Sequence, residues 1–177
     1  MVAFSDPHIS IASLEDAAII CNLLNKAYRG ESSKKGWTTE ADLIEGEVRA
    51  SEEHVRDVMK INESVFLKYI SDNGTLIGCV NLQRKDRGFY LGMFSVDPDL
   101  QGAGIGKNIL KAAEELALQS ACFIIYMYVI SRRSELIAWY NRHGYTTTNE
   151  IVPFNEDAMS GKHKQKLEFL ILEKHLH

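Results

Sequence analysis

The chain has 177 residues, 45% of them hydrophobic, and a net charge of −4 at neutral pH. This size predicts a single domain over residues 1–177 with a proper hydrophobic core. No apolar run approaches the roughly 20 residues of a membrane span, and residues 1–6 lack the basic start of a secretory signal, so we predict a cytoplasmic protein without a membrane partner. The acidic net charge argues against a nucleic-acid partner. Cys21, Cys79 and Cys122 lie scattered in apolar segments, which predicts reduced, buried thiols instead of a disulfide or zinc framework.

The N-terminal third of the chain shows one short strand followed by capped helices. Ser13 and Asp16, three residues apart, form a weak capping box that predicts the start of a helix at Ser13. Gly30 is the predicted end of this helix. Thr39 and Ser51 are further candidate helix caps. The predicted order is a strand over residues 8–12, a helix over 13–30, a polar loop over 31–38, a short helix from Thr39 to Ile44 and a third helix from Ser51 to Met59.

The remaining chain alternates between strands and helices. An asparagine–glycine turn at residues 73–74 separates two runs with strand character, which is a strong hairpin signal. The predicted elements are strands 65–70, 75–82 and 89–96, a helix over 107–118, a strand over 123–130, a helix over 134–143, a strand over 145–152, a polar loop over 155–165 and a strand over 167–172. The strand at 89–96, the helix after it and the strand at 123–130 form one βαβ crossover in a mixed sheet.

A glycine-rich loop, Gln101-Gly102-Ala103-Gly104-Ile105-Gly106, lies between the strand that ends at Val96 and the helix that begins at Lys107. Backbone N–H groups of such a loop can surround an anion at the positive end of a helix dipole. A P-loop does not fit, because Gln101 stands at its first glycine and Asn108 replaces its magnesium-binding hydroxyl. A dinucleotide fingerprint fails at its third glycine, which is Lys107. The spacing Q-x-x-G-x-G fits in full, and a glycine-rich turn without a ligand is the alternative.

This spacing resembles the pyrophosphate-binding signature of the GNAT superfamily of N-acetyltransferases, which bind acetyl-coenzyme A (acetyl-CoA). A second signature of that superfamily, an aromatic–tyrosine pair followed by a glycine and an aromatic residue, matches Trp139-Tyr140, Gly144 and Tyr145. The order of predicted elements is also the one expected of the superfamily. The resemblance implies an α/β (α+β) class and a GNAT-like acyl-CoA N-acyltransferase fold, with a mixed, mostly antiparallel sheet, a central βαβ crossover and helices on both faces.

The resemblance implies acetyl-CoA as co-substrate, and the histidines show no metal-ligand spacing, so no metal is predicted. Phe94 and Val96 are the implied backbone contacts, on a strand that splays from its neighbour. Lys107 either contacts phosphate or is a solvated lysine of the first helical turn. Arg133 stands where the superfamily commonly has an asparagine that contacts the coenzyme. The implied contacts of the loop itself are Gln101, Gly102, Ala103, Gly104, Ile105, Gly106 and Lys107.

Acetyl transfer also needs an acid for the departing thiolate and a base for the amine. The resemblance makes Tyr140 the candidate acid, because a tyrosine with an ordinary pKa of about 10 keeps its proton at neutral pH; packing beside Trp139 is the alternative. The segment from Phe89 to Val96 contains no Asp, Glu or His. The resemblance implies that acceptor-binding helices lie near Glu40, at the start of the second predicted helix, which makes it the candidate base; its alternative is a carboxylate that only stabilises a helix N-terminus. Proton loss through water, or an acceptor that is a weaker base, is a further alternative.

Charge gives one indication of the acceptor. Residues 31–57 carry eight carboxylates against four basic side chains. In the implied fold this segment borders the acceptor groove, and an acidic groove would concentrate a cationic amine. Ordinary solvated helix faces are the alternative.

These observations predict an acetyl-CoA-dependent N-acetyltransferase. The acetyl group would pass directly from the thioester to an amine of a small molecule or peptide in a ternary complex. Two alternatives stay open: a non-catalytic acyl-CoA-binding or sensor module, which the missing base on residues 89–96 favours, and an O-acyltransferase. The sequence is also compatible with a homodimer.

Overall fold

The computed structural model describes residues 2–36, 38–156 and 161–177. Within these residues seven strands form one sheet, and five α-helices pack around it. The strands are β1 (Ile9–Ile11), β2 (Ser64–Ile70), β3 (Leu76–Lys85), β4 (Gly88–Val96), β5 (Ile124–Ile130), β6 (Thr146–Phe154) and β7 (Leu167–His175). The helices are α1 (Ala17–Tyr28), α2 (Gly30–Ser33), α3 (Glu52–Lys60), α4 (Ile105–Gln119) and α5 (Ser134–Arg142), with 3₁₀ turns at Leu14–Asp16 and Pro98–Leu100.

The sheet has the strand order β1-β2-β3-β4-β5-β7-β6. Every neighbouring pair is antiparallel except β4 and β5, which run parallel and are joined through α4. The chain therefore contains the predicted βαβ crossover at the centre of a mixed, mostly antiparallel sheet, and the predicted fold class is confirmed. The asparagine–glycine hairpin joins β2 to β3 as predicted.

Side-chain alternation along the central strands covers both faces of the sheet. Phe66 of β2 and Cys79 of β3 belong to a buried cluster with the apolar residues of α1 and α3. Their chain neighbours Leu67 and Val80 belong to another cluster with α4 and α5. Because successive strand residues point to opposite faces, α1 and α3 cover one face while α4 and α5 cover the other. Helices therefore pack on both faces of the central strands.

The prediction of a helix from Thr39 to Ile44 is wrong. Residues 41–43 form a turn, and Ile44 makes an isolated β-bridge to His163. Backbone hydrogen bonds from Glu45 N to Lys162 O and from Lys164 N to Leu43 O hold the two segments together. Tertiary pairing with a segment more than 100 residues away thus replaces the local helix that the Thr39 cap indicated.

The bounds of two predicted elements also differ from the structure. Helix α1 ends at Tyr28 and not at Gly30. Gly30 instead begins the single turn of α2, which extends into the predicted polar loop at 31–38. The last strand extends to His175, beyond its predicted end. The predicted loops at 31–38 and 155–165 include residues 37 and 157–160, which lie outside the described residues.

The three cysteines are buried, as predicted. Cys21, Cys79 and Cys122 form no disulfide, and burial raises the pKa of the Cys79 thiol to about 12. These thiols are therefore core side chains at neutral pH.

Among the described residues, no helix has the length and apolar character needed to cross a membrane.

Candidate active site

Strands β4 and β5 separate part-way along their length. They pair only at Phe89 with Ile125 and at Tyr90 with Tyr126. From Leu91 to Val96, β4 keeps its pairing with β3 but has no ladder partner on the β5 side within the described chain. Its backbone groups on that side are therefore available to a ligand, because an unpaired strand edge presents N–H and C=O groups in a row.

A β-bulge lies on β4 where the two strands have separated. Cys79 pairs with Ser95 and Asn81 pairs with Gly92, so Val80 faces two residues of β4 in place of one. Met93, one of these two residues, has a φ of +47°, a left-handed conformation that is uncommon outside glycine. Such bulges bend a strand and re-aim its backbone groups, and they are frequent beside active sites.

The carbonyl of Phe94 is already held by a tyrosine. The Tyr28 hydroxyl of α1 donates a 2.7 Å hydrogen bond to Phe94 O. Burial raises the pKa of Tyr28 to about 12, so this hydroxyl keeps its proton at neutral pH and remains a donor. Tyr28 therefore fixes the backbone of β4 within the bulge.

The glycine loop leads into the N-terminus of α4. Gly104 is the N-cap of α4, with φ +81°, and a Cβ placed there would meet nothing within 4 Å. The first intrahelical hydrogen bond runs from Asn108 N to Gly104 O, at 3.0 Å. The N–H groups of residues 105–107 therefore lack helical partners, as in every helix start. Together with the helix dipole they form a site suited to an anion.

A cleft of about 290 Å³ runs from this loop along the separated end of β4 to α5. One end is the loop with its N–H groups, and the walls further along are largely apolar. Such a cleft suits a long ligand with a charged and an apolar part. The lining residues are Thr38, Phe94, Ser95, Val96, Leu100, Gln101, Gly102, Gly104, Ile105, Gly106, Lys107, Leu136, Trp139, Tyr140 and His143.

A second, smaller cavity of about 100 Å³ lies on the other side of Phe94 and Tyr140. These two residues and Leu136 line both spaces, so they form the partition between them. The other lining residues are Tyr28, Glu40, Arg49, Tyr90, Leu91, Gly92, Met93, Met127, Tyr128, Val129, Ile130, Arg133, Phe154 and Phe169. A ligand in the cleft and a ligand in the cavity would therefore meet at this partition.

Tyr140 is held within a group of aromatic rings. It is 5% exposed, and its ring centre lies 6.3 Å from that of Phe94 and 5.9 Å from that of Tyr145. Its hydroxyl makes no hydrogen bond to any residue that the structure describes. Burial raises the pKa of Tyr140 above its ordinary value, so the phenol stays protonated through and beyond the neutral range. The side chain can therefore act as a proton donor at the partition.

Sequence comparison identifies the family to which the chain belongs. A model of the acetyltransferase (GNAT) family matches residues 19–145, which is more than half of the chain. The chain belongs to the GNAT acetyltransferase family. No curated protein matches it.

Solved structures of GNAT acetyltransferases share the fold at low sequence identity. The PaiA N-acetyltransferase of Thermoplasma acidophilum, solved with coenzyme A, is 19% identical, with a TM-score of 0.64 over 94% of this chain and 98% of that one. A ribosomal-protein-alanine N-acetyltransferase from Brucella melitensis is 15% identical, with a TM-score of 0.71 over 95% and 99%. A GNAT-family acetyltransferase from Staphylococcus aureus is 14% identical, with a TM-score of 0.67 over 96% and 98%.

GNAT acetyltransferases use acetyl-CoA as their co-substrate, and the cleft of this chain fits that molecule. The open space beside Gly104 and the N–H groups of α4 suit a pyrophosphate. The separated edge of β4 can pair with the amides of an extended arm, as one strand pairs with another. Among the described residues no group of three His, Cys, Asp or Glu side chains could hold a metal ion.

The residues predicted for the coenzyme divide between the two spaces. Phe94, Val96 and most of the loop line the cleft, while Ala103 is exposed and does not line it. Lys107 is exposed at the first turn of α4. Arg133 lines the second cavity and not the cleft. In this GNAT chain, therefore, the arginine at the usual asparagine position lies at the second cavity and not at the cleft.

Gln101 holds the loop through its side chain. Its Nε2 donates to Val96 O at 3.3 Å, which ties the start of the loop to the end of β4. A Cβ on Gly36 would approach this amide group to 2.7 Å, so the segment after α2 packs directly against it. Gln101 therefore shapes the loop whose backbone faces the cleft.

Glu40 lies at the second cavity but in a buried ion pair. Its side chain is 8% exposed and that of Arg29 is fully buried. Glu40 Oε2 accepts from Arg29 Nη2 at 2.9 Å and from Arg29 Nε at 3.3 Å, and Arg49 Nε lies 3.9 Å from the same oxygen. The carboxylate is therefore engaged by arginine instead of capping the predicted helix.

We expect the Glu40→Ala substitution to lower the free energy of unfolding by about 3 kcal/mol, because it removes the carboxylate that accepts two hydrogen bonds from the fully buried Arg29 guanidinium. Chemical denaturation followed by circular dichroism measures the change. Glu31→Ala is the matched control, since Glu31 forms an exposed pair with Lys34 and its loss should change stability little. Equal stability losses in the two variants would contradict a structural role for Glu40.

The acidic segment does not give the cavity an acidic lining. Of the eight carboxylates in residues 31–57, only Glu40 lines the cavity, and the other seven are exposed. Arg49, from the same segment, lines the cavity instead. The segment therefore contributes one carboxylate to the second cavity, and its exposed carboxylates match the alternative of solvated surfaces.

Tyr28 and Arg49 are site residues that sequence reasoning did not identify. Tyr28 closes α1 and reads as part of its apolar face, whereas it reaches across to Phe94 O. Arg49 lies in an irregular segment before α3 and carries no motif. The local signal was a basic residue within an acidic stretch, which does not distinguish a half-buried cation that lines a cavity from a solvated one.

Proposed function

We propose that this chain transfers the acetyl group of acetyl-CoA to an amine bound in the second cavity, within a ternary complex. The single observation that carries the proposal is the partition of Phe94 and Tyr140, which lines both the coenzyme cleft and the cavity. Two substrates that meet there can react directly, because their reacting atoms are brought together without a covalent enzyme intermediate.

Acetyl-CoA supplies the activated acetyl group as a thioester, and the residues of the chain orient it. Residues 105–107 offer N–H donors to its phosphates. The unpaired edge of β4, near Phe94 and Val96, offers backbone donors to its arm and to the acetyl carbonyl. A backbone N–H aimed at an oxygen that gains charge during reaction contributes about 3 kcal/mol. Tyr28 supports this by fixing the backbone of Phe94.

Proton transfer is assigned to two different agents. Tyr140 gives its proton to the departing sulfur, since its hydroxyl makes no bond to a described residue and its raised pKa keeps it protonated. Glu40 Oε2 already accepts two hydrogen bonds from Arg29, so we assign Glu40 a positioning role. The amine proton then leaves through water, and a proton from solvent restores the Tyr140 hydroxyl.

A non-catalytic acyl-CoA-binding module is the second candidate. The observation that favours it is that no Asp, Glu or His stands on β4, while Glu40, the one carboxylate among the cavity's described lining residues, is paired with arginine. Such a module would keep the coenzyme cleft and lack turnover.

The deciding experiment is thioester turnover. Release of free thiol from acetyl-CoA is followed with a panel of primary amines that includes small amines, amino acids and short peptides. Acetylated amine identified by mass spectrometry, formed in step with thiol release, would support the transferase. Coenzyme A binding by calorimetry without acetylation of any amine would favour the binding module. Acetylation of hydroxyl compounds alone would point to an O-acyltransferase.

A further inference from the structure

Tyr90 lies on β4 at the point where the two central strands separate. It is the last residue of β4 with a ladder partner on β5 within the described chain, opposite Tyr126, and it lines the second cavity. Two other tyrosine rings fix its direction, because its ring centre lies 5.6 Å from that of Tyr126 and 5.4 Å from that of Tyr128. The phenol of Tyr90 is therefore held at the start of the unpaired edge of β4.

The Tyr90 side chain extends along β4 and over Gly92. A Cβ placed on Gly92 would lie 3.1 Å from Cε1 of Tyr90 and 3.4 Å from both its Cζ and its hydroxyl oxygen. Gly92 immediately precedes the bulge at Met93 and Phe94. The missing side chain at position 92 thus makes room for the phenol, and the Tyr90 hydroxyl comes close to the part of β4 assigned to the acetyl group.

The Tyr90 hydroxyl is unused by the described protein and accessible to water. It makes no hydrogen bond to any residue that the structure describes. The buried side-chain atoms of the described chain that have no partner are Ser95 Oγ and His163 Nε2, and the Tyr90 oxygen is not one of them. Burial raises the pKa of Tyr90, against a smaller lowering by Arg49, so the phenol keeps its proton at neutral pH. A neutral hydroxyl can accept one hydrogen bond while it donates another.

Tyr90 and Tyr140 face the same space, since both line the second cavity. The pKa of Tyr140 is raised mainly by burial, and Tyr28 and Tyr90 raise it further. The three phenols are thus within electrostatic reach of one another. The Tyr28 hydroxyl is bonded to Phe94 O, and the Tyr140 hydroxyl is assigned to the sulfur. Of the three, the Tyr90 hydroxyl remains to contact an amine.

We propose that the Tyr90 hydroxyl binds the acceptor nitrogen and passes a proton of that nitrogen to water. The inference rests on the proposed function, since it assigns a residue to the proton loss of the same reaction. An N–H of the amine donates to the Tyr90 oxygen, and the Tyr90 O–H donates to water. The lone pair of the nitrogen then points at the acetyl carbon, which is the orientation that attack requires.

The transfer consumes and restores one proton at each tyrosine. The nitrogen forms a bond to the acetyl carbon, and the carbon–sulfur bond breaks with its electron pair on sulfur. Sulfur takes the proton of Tyr140, which solvent replaces. A nitrogen proton moves to the Tyr90 oxygen as the proton of Tyr90 moves to water, so Tyr90 ends in its starting form. No carboxylate or histidine on β4 is needed, and β4 has none.

The test compares Tyr90→Phe with the wild type on amines of different basicity. Each primary amine that the wild type acetylates is set against a less basic analogue of similar shape, as ethylamine is against trifluoroethylamine, at equal concentrations of the neutral amine. We expect kcat for the basic amine to fall about 10²-fold, the effect of a positioned proton-transfer group, with coenzyme A affinity unchanged. The less basic amine should lose only a few-fold, because its nitrogen releases a proton to water more readily once it has bonded to carbon.

Tyr126→Phe is the matched control. Its ring belongs to the same group of tyrosines, but Tyr126 lines neither the cleft nor the cavity. The variant loses a buried tyrosine hydroxyl on the neighbouring strand. It should keep the wild-type kcat with both amines.

Gly92→Ala tests the position of the Tyr90 hydroxyl without removing it. The added Cβ must push the ring aside, and a small displacement of a group that orients the substrate should lower kcat about 3- to 10-fold. In the double variant with Tyr90→Phe, the loss should equal that of Tyr90→Phe alone, because the hydroxyl that Gly92 positions is already absent. Losses that multiply would overturn the inferred role of Gly92.

Failure of this inference differs from failure of the proposed function. A loss in Tyr90→Phe that is large for basic amines, small for their less basic analogues and absent in Tyr126→Phe supports the role of Tyr90. If amines are acetylated but Tyr90→Phe stays within a few-fold of wild type, or loses equal factors with both kinds of amine, that role is overturned while N-acetylation stands. If the wild type acetylates no amine, the proposed function fails and the role of Tyr90 falls with it.

Discussion

We expect Gly104→Asp to abolish coenzyme A binding. Gly104 has φ +81° at the N-cap of α4, beside N–H groups that have no helical partner. An added Cβ enters open space, which is the space assigned to the phosphates, and the carboxylate brings like charge to them. Loss of the anion site removes the helix-terminus contribution altogether. Calorimetric titration with coenzyme A should show no binding in a folded variant.

Gly74→Asp is a closely matched control for this experiment. Gly74 also has φ +81° with nothing within 4 Å of an added Cβ, but it lies in the turn between β2 and β3. Both variants carry the same left-handed strain, so they should lose similar stability while only Gly104→Asp loses the coenzyme. Gly104→Asn tests the charge, since asparagine tolerates the same backbone and should retain more affinity. Wild-type affinity in Gly104→Asp would refute the assignment of the loop.

The parts of the site that the sequence predicted depend on local signals. The glycine loop is contiguous, and its position between an apolar strand and a helix is readable from residues 89–118 alone. The aromatic pair at Trp139-Tyr140 is equally local, and the structure places it at the cleft. The splaying of β4 was implied only through the family resemblance, because unpaired backbone leaves no mark on side-chain pattern.

The parts that the sequence did not predict depend on contacts between distant segments. Thr39 has the side chain of a helix cap, but residues 43–45 pair with residues 162–164 instead. Glu40, expected as a base or as a carboxylate at a helix N-terminus, is instead held in a buried ion pair with Arg29. Arg49 enters the cavity for the same reason, since the surrounding chain is fixed by tertiary contacts and not by a helix. Charge counted along a segment therefore did not reveal the charge of the cavity.

We expect Tyr140→Phe to lower kcat by about 10²–10⁴-fold with little change in coenzyme A affinity. A positioned general acid contributes an effect of this size, and the substitution removes the hydroxyl while keeping the ring. The ring contacts with Phe94 and Tyr145 should survive, so the partition stays in place. Because burial raises the pKa of Tyr140, the wild-type kcat should not fall through loss of its proton as pH rises from 6 to about 9. Rapid-quench measurement of the acetyl-transfer step separates this effect from product release.

Tyr145→Phe provides the matched control for loss of a buried tyrosine hydroxyl. Tyr145 is 1% exposed and donates to Glu114 Oε1 at 3.2 Å, away from both the cleft and the cavity. Its variant should lose stability, since a hydrogen bond to a carboxylate contributes about 1.5–3 kcal/mol, and should keep kcat. Tyr140→Phe should show the reverse, because its hydroxyl makes no bond to a described residue. A transfer rate for Tyr140→Phe within a few-fold of wild type would leave Tyr140 as a packing residue, and the proton of the leaving thiol would then have to come from water.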